Sequence, residues 1–505
     1  MIHHIKRATR HLIFWSLIAS ALGLLAVRVS LHLINHYKIE LAAEISKQVD
    51  APVTIGHLKT RIHGFNPQLV LEDIDIAASD NNNQTAPIQL KALRIGINLI
   101  DLVVSRDVLS SSWLTLVGAK LTVKKQADGS IAIVGLKAGG GQPLWLLQGR
   151  QYQVLQSSLT WQDEQKHGKS LVFDDVNVMI RNNGDRHRVN VLINLQEKQG
   201  ELLKASFDIN GNIFEPLAIN GTGYIEGKAI NLPAWITVDL PLTLGIKSGV
   251  GDFKVWGEWQ RSQLISMTAD IQAEQLRISQ PHKADFVARD FSTLFFWLKH
   301  DHQWSVDVER FTLAIADKKY LPSTFTLSGI SADDQQLHQL ALSAPHIDLQ
   351  AVATLGEFFA PDAQAKLLTQ AQLKGRLDNF TLSSNLDTQQ LTVDGQFANV
   401  STSPMQSQPG IDNFSGHING NEQQGSIQLN TKNAQFKAPN LFRTAIPINT
   451  LNGVLTWQQN ADNWTVASSL LKLNTPDIHS KARLQLIIPK ADKPVFMDLQ
   501  IAFTG

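Results

Sequence analysis

The densest group of side chains that could carry out chemistry lies between positions 174 and 188 of this 505-residue chain. It contains three aspartates, two arginines and a histidine, namely Asp174, Asp175, Asp185, Arg186, His187 and Arg188. Carboxylates and an imidazole at close spacing can bind a metal or exchange protons. All six residues flank predicted strands or a predicted hairpin turn, where charged side chains normally face water. We therefore expect a solvated surface and assign none of them a catalytic role.

Other short motifs give no stronger indication of catalysis. Gly168-Lys169-Ser170 resembles the end of a phosphate-binding loop, but Asp163 stands where the GxxxxGK[ST] pattern requires glycine. The chain contains no GxSxG nucleophile elbow, no HExxH helix and no GxGxxG loop. The 11 tryptophans are expected in strands and turns as interior or rim anchors rather than as a ligand cage. We predict no catalytic residue, no cofactor and no metal ligand.

Composition narrows the class of protein further. The chain has no cysteine, which excludes disulfides, thiolate nucleophiles and thiolate metal sites and fits an oxidising compartment. Lys plus Arg equals Asp plus Glu at 45 each, so net charge gives no reason to expect nucleic acid as a partner. With 43% hydrophobic residues, the chain has enough apolar material for a large core or for a long apolar surface.

One segment near the N-terminus is predicted to cross a membrane. Residues 12–27 include no charge, and extension to residue 34 adds only Arg28 and His32. As a helix, residues 12–34 would rise about 34 Å, which exceeds a hydrocarbon core of roughly 30 Å. The alternatives are a cleaved signal peptide, although no small-x-small cleavage site follows, and a buried soluble helix. Basic residues before the span favour residues 1–11 as a cytoplasmic tail and send the remainder across the membrane, which in a Gram-negative cell means the periplasm.

The elements that must position any functional surface are β-strands with one apolar face. Side chains alternate between apolar and polar with a period of two, because successive strand residues point to opposite sides of a sheet. The clearest apolar stripes consist of Val495, Met497, Leu499, Ile501 and Phe503, and of Ile265, Met267, Ala269 and Ile271. The period-two pattern recurs from about residue 52 onward.

Turn and helix signals divide these strands. Residues 182–185, Asn-Asn-Gly-Asp, predict a tight hairpin turn between strands around 176–180 and 189–195. Asp128-Gly129 predicts a second hairpin, and a change of phase at Ala92-Leu93 predicts a β-bulge. Residues 37–49 form an amphipathic pattern typical of a helix. Residues 356–373 form a second helical candidate limited by Pro361, and residues 347–352 are predicted to be a strand.

The predicted fold is mainly β, with consecutive strands that form antiparallel meanders because the helices needed for parallel crossovers are lacking. A single sheet of about 38 strands at roughly 4.8 Å spacing would extend about 180 Å. Two or three stacked β-sandwiches with ordinary cores fit the pattern equally well. Sequence also leaves open which strand face points inward, because a register slip of one residue exchanges the two faces.

Several short segments occur in a characteristic order along the chain, namely 52–56 (PVTIG), 64–67 (GFNP), 159–164 (LTWQDE), 171–173 (LVF), 182–188 (NNGDRHR), 232–235 (LPAW), 249–251 (GVG) with 255–256 (VW), and 409–416 (PGIDNFSG). Taken together, they resemble the YhdP family of AsmA-like envelope proteins. Each segment is weak alone, but the ordered series covers nearly the whole chain. On this basis residues 35–138 are predicted to be an AsmA-like N-terminal β region with a short leading helix. Residues 139–505 are predicted to be a YhdP-like central β-groove region.

The resemblance implies a single-pass inner-membrane protein whose bulk is periplasmic. It implies a long, twisted antiparallel β-sheet groove of repeating β units with an apolar inside, which moves phospholipid between inner and outer membranes and supports the outer-membrane barrier. The implied partners are phospholipids, the inner membrane and outer-membrane or other envelope proteins. Because members of the family continue beyond this length, we expect the chain to be the N-terminal part of a longer protein.

Three functional hypotheses follow. In the first, acyl chains lie on the apolar stripes, and Ile265, Met267, Ala269, Ile271, Val495, Met497, Leu499, Ile501 and Phe503 line the groove. In the second, the chain is a structural or assembly factor for outer-membrane proteins or the envelope, with a closed interior and no lipid conduction. In the third, it is a hydrolase built on a β-sandwich.

Overall fold

The structure of the chain is a computed structural model. The described residues are 14–18, 21–23, 37–49, 51–63, 66–77, 88–126, 131–134, 145–163, 170–212, 219–235, 243–315, 318–331, 336–405, 408–440, 442–490 and 494–504. Within the predicted membrane span, residues 14–18 and 21–23 are helical, and the rest of residues 12–34 lies outside the described part. Among the described residues, no helix is both long enough and apolar enough to cross a membrane.

The chain is mainly β and divides into two compact units. Unit 1 comprises Met1–Lys228 and Trp259–Ser262, and unit 2 comprises Ala229–Glu258 and Gln263–Gly505. The described part contains 27 strands, fewer than the roughly 38 that period-two patterns suggested at strand spacing. Several of these strands are long, for example Gln263–Ser279 with 17 residues.

Unit 1 begins with an amphipathic helix that covers three antiparallel strands. Helix α1 is Lys38–Val49, as the 37–49 pattern predicted. The strands that follow are β1 Val53–His63, β2 Asn66–Ile76 and β3 Ile88–Ile97. Leu41, Ala42 and Ile45 of α1 pack against a core that contains Leu58 and the fully buried Leu71. Burial of these apolar side chains holds the helix on the sheet.

The remaining elements of unit 1 form a mixed sheet. They are α2 Leu99–Ser105, β4 Ser112–Val117, β5 Lys120–Lys125, β6 Ile131–Ile133, α3 Trp145–Gln148, β7 Gln151–Asp163, β8 Ser170–Asn183, β9 Arg186–Asn194, β10 Leu202–Asn210 and β11 Asn220–Asn231, the last of which runs into unit 2. Strands β4 and β5 both pair with β7 in parallel. The all-antiparallel prediction is therefore wrong here, because the chain between β5 and β7 supplies the crossover that a parallel pair requires.

The strands of both predicted hairpins pair as expected. Strands β5 and β6 pair antiparallel, as do β8 and β9, and the turn predicted at Asp128-Gly129 lies outside the described residues. Asn183 pairs with Arg186, so Gly184 and Asp185 are the two central residues of the turn predicted at 182–185. Gly184 has φ +58°, which suits the first central position of a tight hairpin turn.

The β-bulge predicted at Ala92-Leu93 is wrong. The register between β2 and β3 runs without a shift through Leu71↔Leu93 and Glu72↔Ala92. The local irregularity lies in the partner strand instead, where Asp73 has φ +54°. A change of apolar phase in one strand can therefore reflect its neighbour rather than an inserted residue.

Unit 2 is built from α4 Leu232–Trp235 and a long series of strands. The strands are β12 Gly245–Gln260, β13 Gln263–Ser279, β14 Phe286–His300, β15 Gln303–Ile315, β16 Lys318–Lys319, β17 Ser323–Ser331, β18 Leu337–Asp348, β19 Lys374–Asn385, β20 Gln390–Thr402, β21 Gly410–Asn421, β22 Gln424–Lys437, β23 Ile446–Gln459, β24 Asn463–Ser468, β25 Leu471–Asn474, β26 His479–Pro489 and β27 Phe496–Thr504. From β13 to β27 the chain-neighbour strands form one antiparallel series, in which β16 is a short side strand on β15 and β24 and β25 lie side by side. These strands belong to one sheet rather than to stacked sandwiches.

Two helices are inserted between paired strands of unit 2. Helix α5 is Leu349–Phe359 and helix α6 is Asp362–Ala371, and they separate β18 from β19, which pair with each other. The strand predicted at 347–352 is wrong beyond Asp348, because the side chain of Asp348 accepts hydrogen bonds from the backbone N–H groups of Gln350 and Ala351 and starts the helix. The helical candidate at 356–373 is confirmed in part, and Pro361 separates the two helices as expected.

Candidate functional site

The register of unit 2 places the two predicted stripes on one face of one sheet. Directly opposed residues in neighbouring strands point to the same side, so a row can be followed from strand to strand. We define the apolar row as Met267, Trp297, Val306, Leu327, Leu342, Leu382, Val393, Gly420, Gly425, Trp457, Val466, Leu486 and Met497, one residue from each of thirteen strands. No member carries a polar group apart from the indole N–H of its tryptophans.

The opposite face of the same strands is polar. We define the polar row by moving one residue along each strand: Thr268, Phe296, Asp307, Thr326, Ser343, Thr381, Asp394, Asn419, Ser426, Thr456, Ala467, Gln485 and Asp498. Only Phe296 and Ala467 are apolar in this row. Because a step of one residue exchanges the two faces, unit 2 has a continuous apolar side and a wet side.

Aromatic rings fill the space above the glycines of the apolar row. A Cβ atom at Gly425 or at Gly420 would overlap the indole of Trp457. The Nε1–H group of Trp457 donates to the carbonyl oxygen of Asn421 at 2.9 Å, which fixes the ring over the two glycines. Trp304 lies over Gly329 on the same face in the same way. Cross-strand glycines thus let large rings lie against the backbone and keep the face apolar where the row has no side chain.

The apolar row is only half-buried. None of its thirteen members falls among the buried residues of the described chain. Side chains in an enclosed core usually retain only a few per cent exposure. Another part of the same face is a packed core, in which Phe414, Leu429 and Ile448 are buried. The face therefore passes from a closed core to an open apolar surface.

Helix α5 covers another part of this face. Its Ala351 and Phe358 lie in a buried cluster with Phe286, and the Phe286 and Phe358 rings are 5.4 Å apart. Phe291 packs against this cluster and pairs with Ala273, which lies on the same face as Met267. The helix thus closes one end of β13–β15, whereas the apolar row crosses the same strands nearer the other end.

The side chains predicted to line a groove lie on this face. Ala269 is buried, whereas Ile265, Met267 and Ile271 are half-buried in β13. The four candidates in β27 are exposed by 61% at Met497, 46% at Leu499, 54% at Ile501 and 71% at Phe503, and Val495 just before the strand is exposed by 57%. The row that joins Met267 to Met497 was not foreseen from sequence, since it depends on the register of all intervening strands. Gly420 and Gly425, which flank the turn between β21 and β22, were the available signal.

Charges on the wet side are held in local networks. The carboxylate of Asp394 accepts hydrogen bonds from Asn419 and His417, and these lower the pKa of Asp394 below its usual value. Burial raises the pKa of Asp378, but hydrogen bonds from His346 and Arg376 outweigh burial, and the pKa is lowered overall. These groups stabilise ionised carboxylates and leave the apolar row free of charge.

The six charged residues that opened the sequence analysis lie in unit 1 and divide into separate structural networks. The Nε and Nη2 groups of Arg186 donate to the two carboxylate oxygens of Asp208 at 2.7 and 2.6 Å, and Arg188 donates to the same carboxylate at 3.2 Å. His187 is 3% exposed and bonded to Asn182, and burial lowers its pKa.

Asp174 and Asp175 of that group bind side-chain amides. Asp175 accepts hydrogen bonds from the side-chain amides of Asn177 and Asn194, and Asp174 accepts from Gln196. No group of three or more His, Asp or Glu side chains able to hold a metal occurs in the described part of the chain. Of Gly168-Lys169-Ser170, the first two residues lie outside the described part and Ser170 begins β8.

The model of the YhdP protein family matches residues 1–505. A curated relative from Escherichia coli (strain K12), the "Intermembrane phospholipid transporter YhdP", is 17% identical over 494 residues, which cover 94% of this chain and 38% of the relative. The chain thus spans well under half the length of that relative. No solved structure shows a significant match.

Proposed function

The chain belongs to the YhdP protein family, and from that premise we propose that it transports phospholipid by holding acyl chains on the apolar face of unit 2. The name of the Escherichia coli relative supports phospholipid as the cargo. The single observation that carries the proposal is the apolar row, which crosses thirteen strands while its neighbour one residue away is polar. Such a half-open apolar face is costly in water unless something apolar covers it.

The dimensions of the row suit a hydrocarbon chain. Thirteen strands at about 4.8 Å spacing give a row of about 58 Å before twist shortens it. One leaflet of a bilayer core is about 15 Å thick, so a single acyl chain would cover about three strand spacings of the row. Several lipids could therefore occupy the face in sequence. Headgroups would remain in water beside the row, near the hairpin ends of the strands.

Movement along such a face needs no covalent step. Transfer of hydrocarbon from a bilayer to an apolar protein surface exchanges one apolar environment for another, so the net free energy per methylene is small. The side chains of the row supply the surface, and the open side lets the headgroup keep its hydration. Candidate lining residues beyond the row are Ile265, Ala269, Ile271, Val495, Leu499, Ile501 and Phe503.

We place the chain in the cell envelope. Residues 12–34 would anchor it in the inner membrane, residues 1–11 would be cytoplasmic and the two units periplasmic, on the basis of the uncharged span and the basic residues before it. The transported phospholipid would pass from or to the inner membrane, toward the outer membrane, and so support the outer-membrane barrier. Envelope proteins would be partners at the distal end.

The proposal is tested by photo-crosslinking at two adjacent residues. A benzoylphenylalanine at Leu342 lies on the apolar row, and the same group at Ser343 lies on the polar row. In cells, we expect phospholipid adducts at Leu342 and few at Ser343. Equal phospholipid adducts at both positions, or adducts to protein alone at Leu342, would overturn the proposal, and the latter would favour an assembly factor.

A further inference from the structure

We propose that lipids on the apolar face of unit 2 keep their headgroups along one side of it, which four tryptophans mark, and that Lys299 binds a headgroup phosphate there. The inference rests on the proposed function and deepens it, because it gives the bound lipid an orientation. The four residues, here called the tryptophan rim, are Trp297, Trp304, Trp457 and Trp464. No other tryptophan occurs between residues 263 and 505.

The tryptophan rim flanks two hairpin turns at the same side of the sheet. Trp297 and Trp304 stand on either side of the turn between β14 and β15, and Trp457 and Trp464 on either side of the turn between β23 and β24. In each hairpin the second tryptophan lies two residues closer to the turn than the first. Both hairpins thus place two indole rings where the apolar face meets a polar turn.

All four rings belong to the apolar face. Trp297 and Trp457 are members of the apolar row, and Trp304 and Trp464 each lie two residues from a valine of that row. The four side chains are half-buried. The Nε1–H group of Trp457 donates to a carbonyl oxygen at the turn between β21 and β22, that of Asn421. This indole therefore turns its polar group toward the margin of the face.

Phenylalanines of the same face lie toward the other ends of the strands. Phe325 pairs with Val308, which is four residues farther from the turn than Trp304. Phe311 lies beyond Val308, with its ring 6.3 Å from that of Phe325, and Phe414 belongs to the packed core. Indole rings favour the boundary between water and hydrocarbon because their N–H group needs a polar partner, whereas phenyl rings favour hydrocarbon. The face therefore has an interfacial side and a hydrocarbon side.

Lys299 adds a positive charge to the interfacial side. It lies two residues from Trp297 on the same face and directly opposite Trp304. Its side chain is exposed, and within the described residues no carboxylate pairs with its ammonium group. The register continues from Trp304 to Gly329 and Leu340, neither of which carries a charge. Lys299 is therefore an unneutralised cation at the margin of an apolar surface.

A lipid phosphate is the anion that fits this position. The stem of a lysine can lie along apolar surface while its ammonium group reaches water. Indole rings beside a cation are typical of segments at the level of lipid headgroups, where phosphate groups lie. With the phosphate at Lys299, the acyl chain can lie on the row that passes through Trp297. A soluble anion would gain nothing from the apolar surface beside the cation, so the arrangement favours a phospholipid.

Two photoreactive phospholipids test the orientation. The full chain would be reconstituted in vesicles of phosphatidylethanolamine and phosphatidylglycerol that contain a diazirine either on the headgroup or at the end of an acyl chain. Mass spectrometry would locate the adducts. We expect headgroup adducts at 297–304 and 457–464 and acyl adducts around Phe325. Equal distributions of the two probes, or a reversed pattern, would overturn the inference.

Substitutions at Lys299 test the phosphate contact. Lys299→Gln should lower headgroup adducts at 297–304 about fivefold, which is the contribution of one cation near a phosphate-bearing surface. Lys299→Arg should retain them. The matched control is Leu298→Gln, because Leu298 is 42% exposed and pairs with Ser305 on the opposite face. Unchanged headgroup adducts in Lys299→Gln, or an equal loss in Leu298→Gln, would overturn the phosphate contact.

Two further outcomes separate this inference from its alternatives. We expect lipid vesicles to protect Lys299 from an amine-reactive reagent, and protection by inorganic phosphate alone would identify a free-anion site and overturn the inference. Phospholipid adducts at Leu342 with evenly distributed headgroup adducts would refute the orientation alone. Absence of adducts at Leu342 with either probe would refute the transport proposal itself.

Discussion

Replacement of a single leucine in the apolar row should interrupt lipid binding locally without unfolding the protein. The substitution is Leu342→Asp, whose cross-strand partner is Leu382. An acyl chain meets one strand about every 4.8 Å, which corresponds to about four methylenes. At about 0.8 kcal/mol per methylene, and with the face half open to water, loss of contact at one strand would cost about 1.5 kcal/mol. Lipid occupancy there should therefore fall about tenfold.

The assay measures lipid occupancy at Leu382, which lies one strand away from the substitution. A photo-crosslinker at Leu382 would report phospholipid adducts in the parent chain, in Leu342→Asp and in Ser343→Asp. Ser343 is the matched control, because it pairs with Thr381 on the polar row. We expect adducts to fall about tenfold in Leu342→Asp, to stay unchanged in Ser343→Asp, and thermal midpoints of both variants to lie within a few degrees of the parent. Equal loss in both variants at unchanged stability would refute the assignment of the two faces.

Three further predictions concern stability. Gly425→Val should lower the free energy of unfolding by about 2 kcal/mol in a urea titration, because the new side chain overlaps the indole of Trp457; Ser426→Val should not, and an unchanged Gly425→Val would contradict the packing described. Lys283→Met removes hydrogen bonds to two carbonyl oxygens at the end of α5, at 2.9 and 2.6 Å. Amide exchange in α5 should therefore accelerate about tenfold, and unchanged exchange would show that apolar packing alone holds the helix. The lowered pKa of Asp394 contributes stability above its unfolded value of about 4, which is lost as pH falls through the lower folded pKa. Asp394→Asn should thus flatten the decline in unfolding free energy below about pH 4, and an unchanged slope would contradict the network.

The sequence predicted those strands and turns that depend only on neighbouring residues. The alternation of Met267 and Ala269 with polar neighbours identified β13, and Gly184 identified a hairpin, since both signals depend on a few adjacent residues. The strand predicted at 347–352 failed because a short apolar run fits a strand or a helix equally well. The cap at Asp348 and the packing of the helix against Phe286 stabilise the helical conformation over a strand.

Non-local features could not be predicted in the same way. The parallel pairing of β4 and β5 with β7 depends on how the chain returns after β5, which period-two patterns do not encode. The apolar row likewise depends on the register of every strand from β13 to β27, and one slip would have replaced Leu342 by Ser343 within it. The resemblance to the YhdP family supplied the expectation of a lipid-carrying sheet. The register then identified which residues form its apolar side.

A half-open apolar face must avoid two competing outcomes, which are collapse onto another sheet and association with other chains. Helix α5 and the core around Phe414 bury part of the face and anchor it, so the remainder need not collapse to give a stable fold. The indole of Trp457 occupies the space over Gly420 and Gly425, so the row stays apolar across two strands that carry no side chain there. A continuous apolar surface suits a flexible hydrocarbon chain, which can slide along it without specific pockets. The pairing of glycines with a tryptophan is therefore one feature that would allow acyl chains to move across the row.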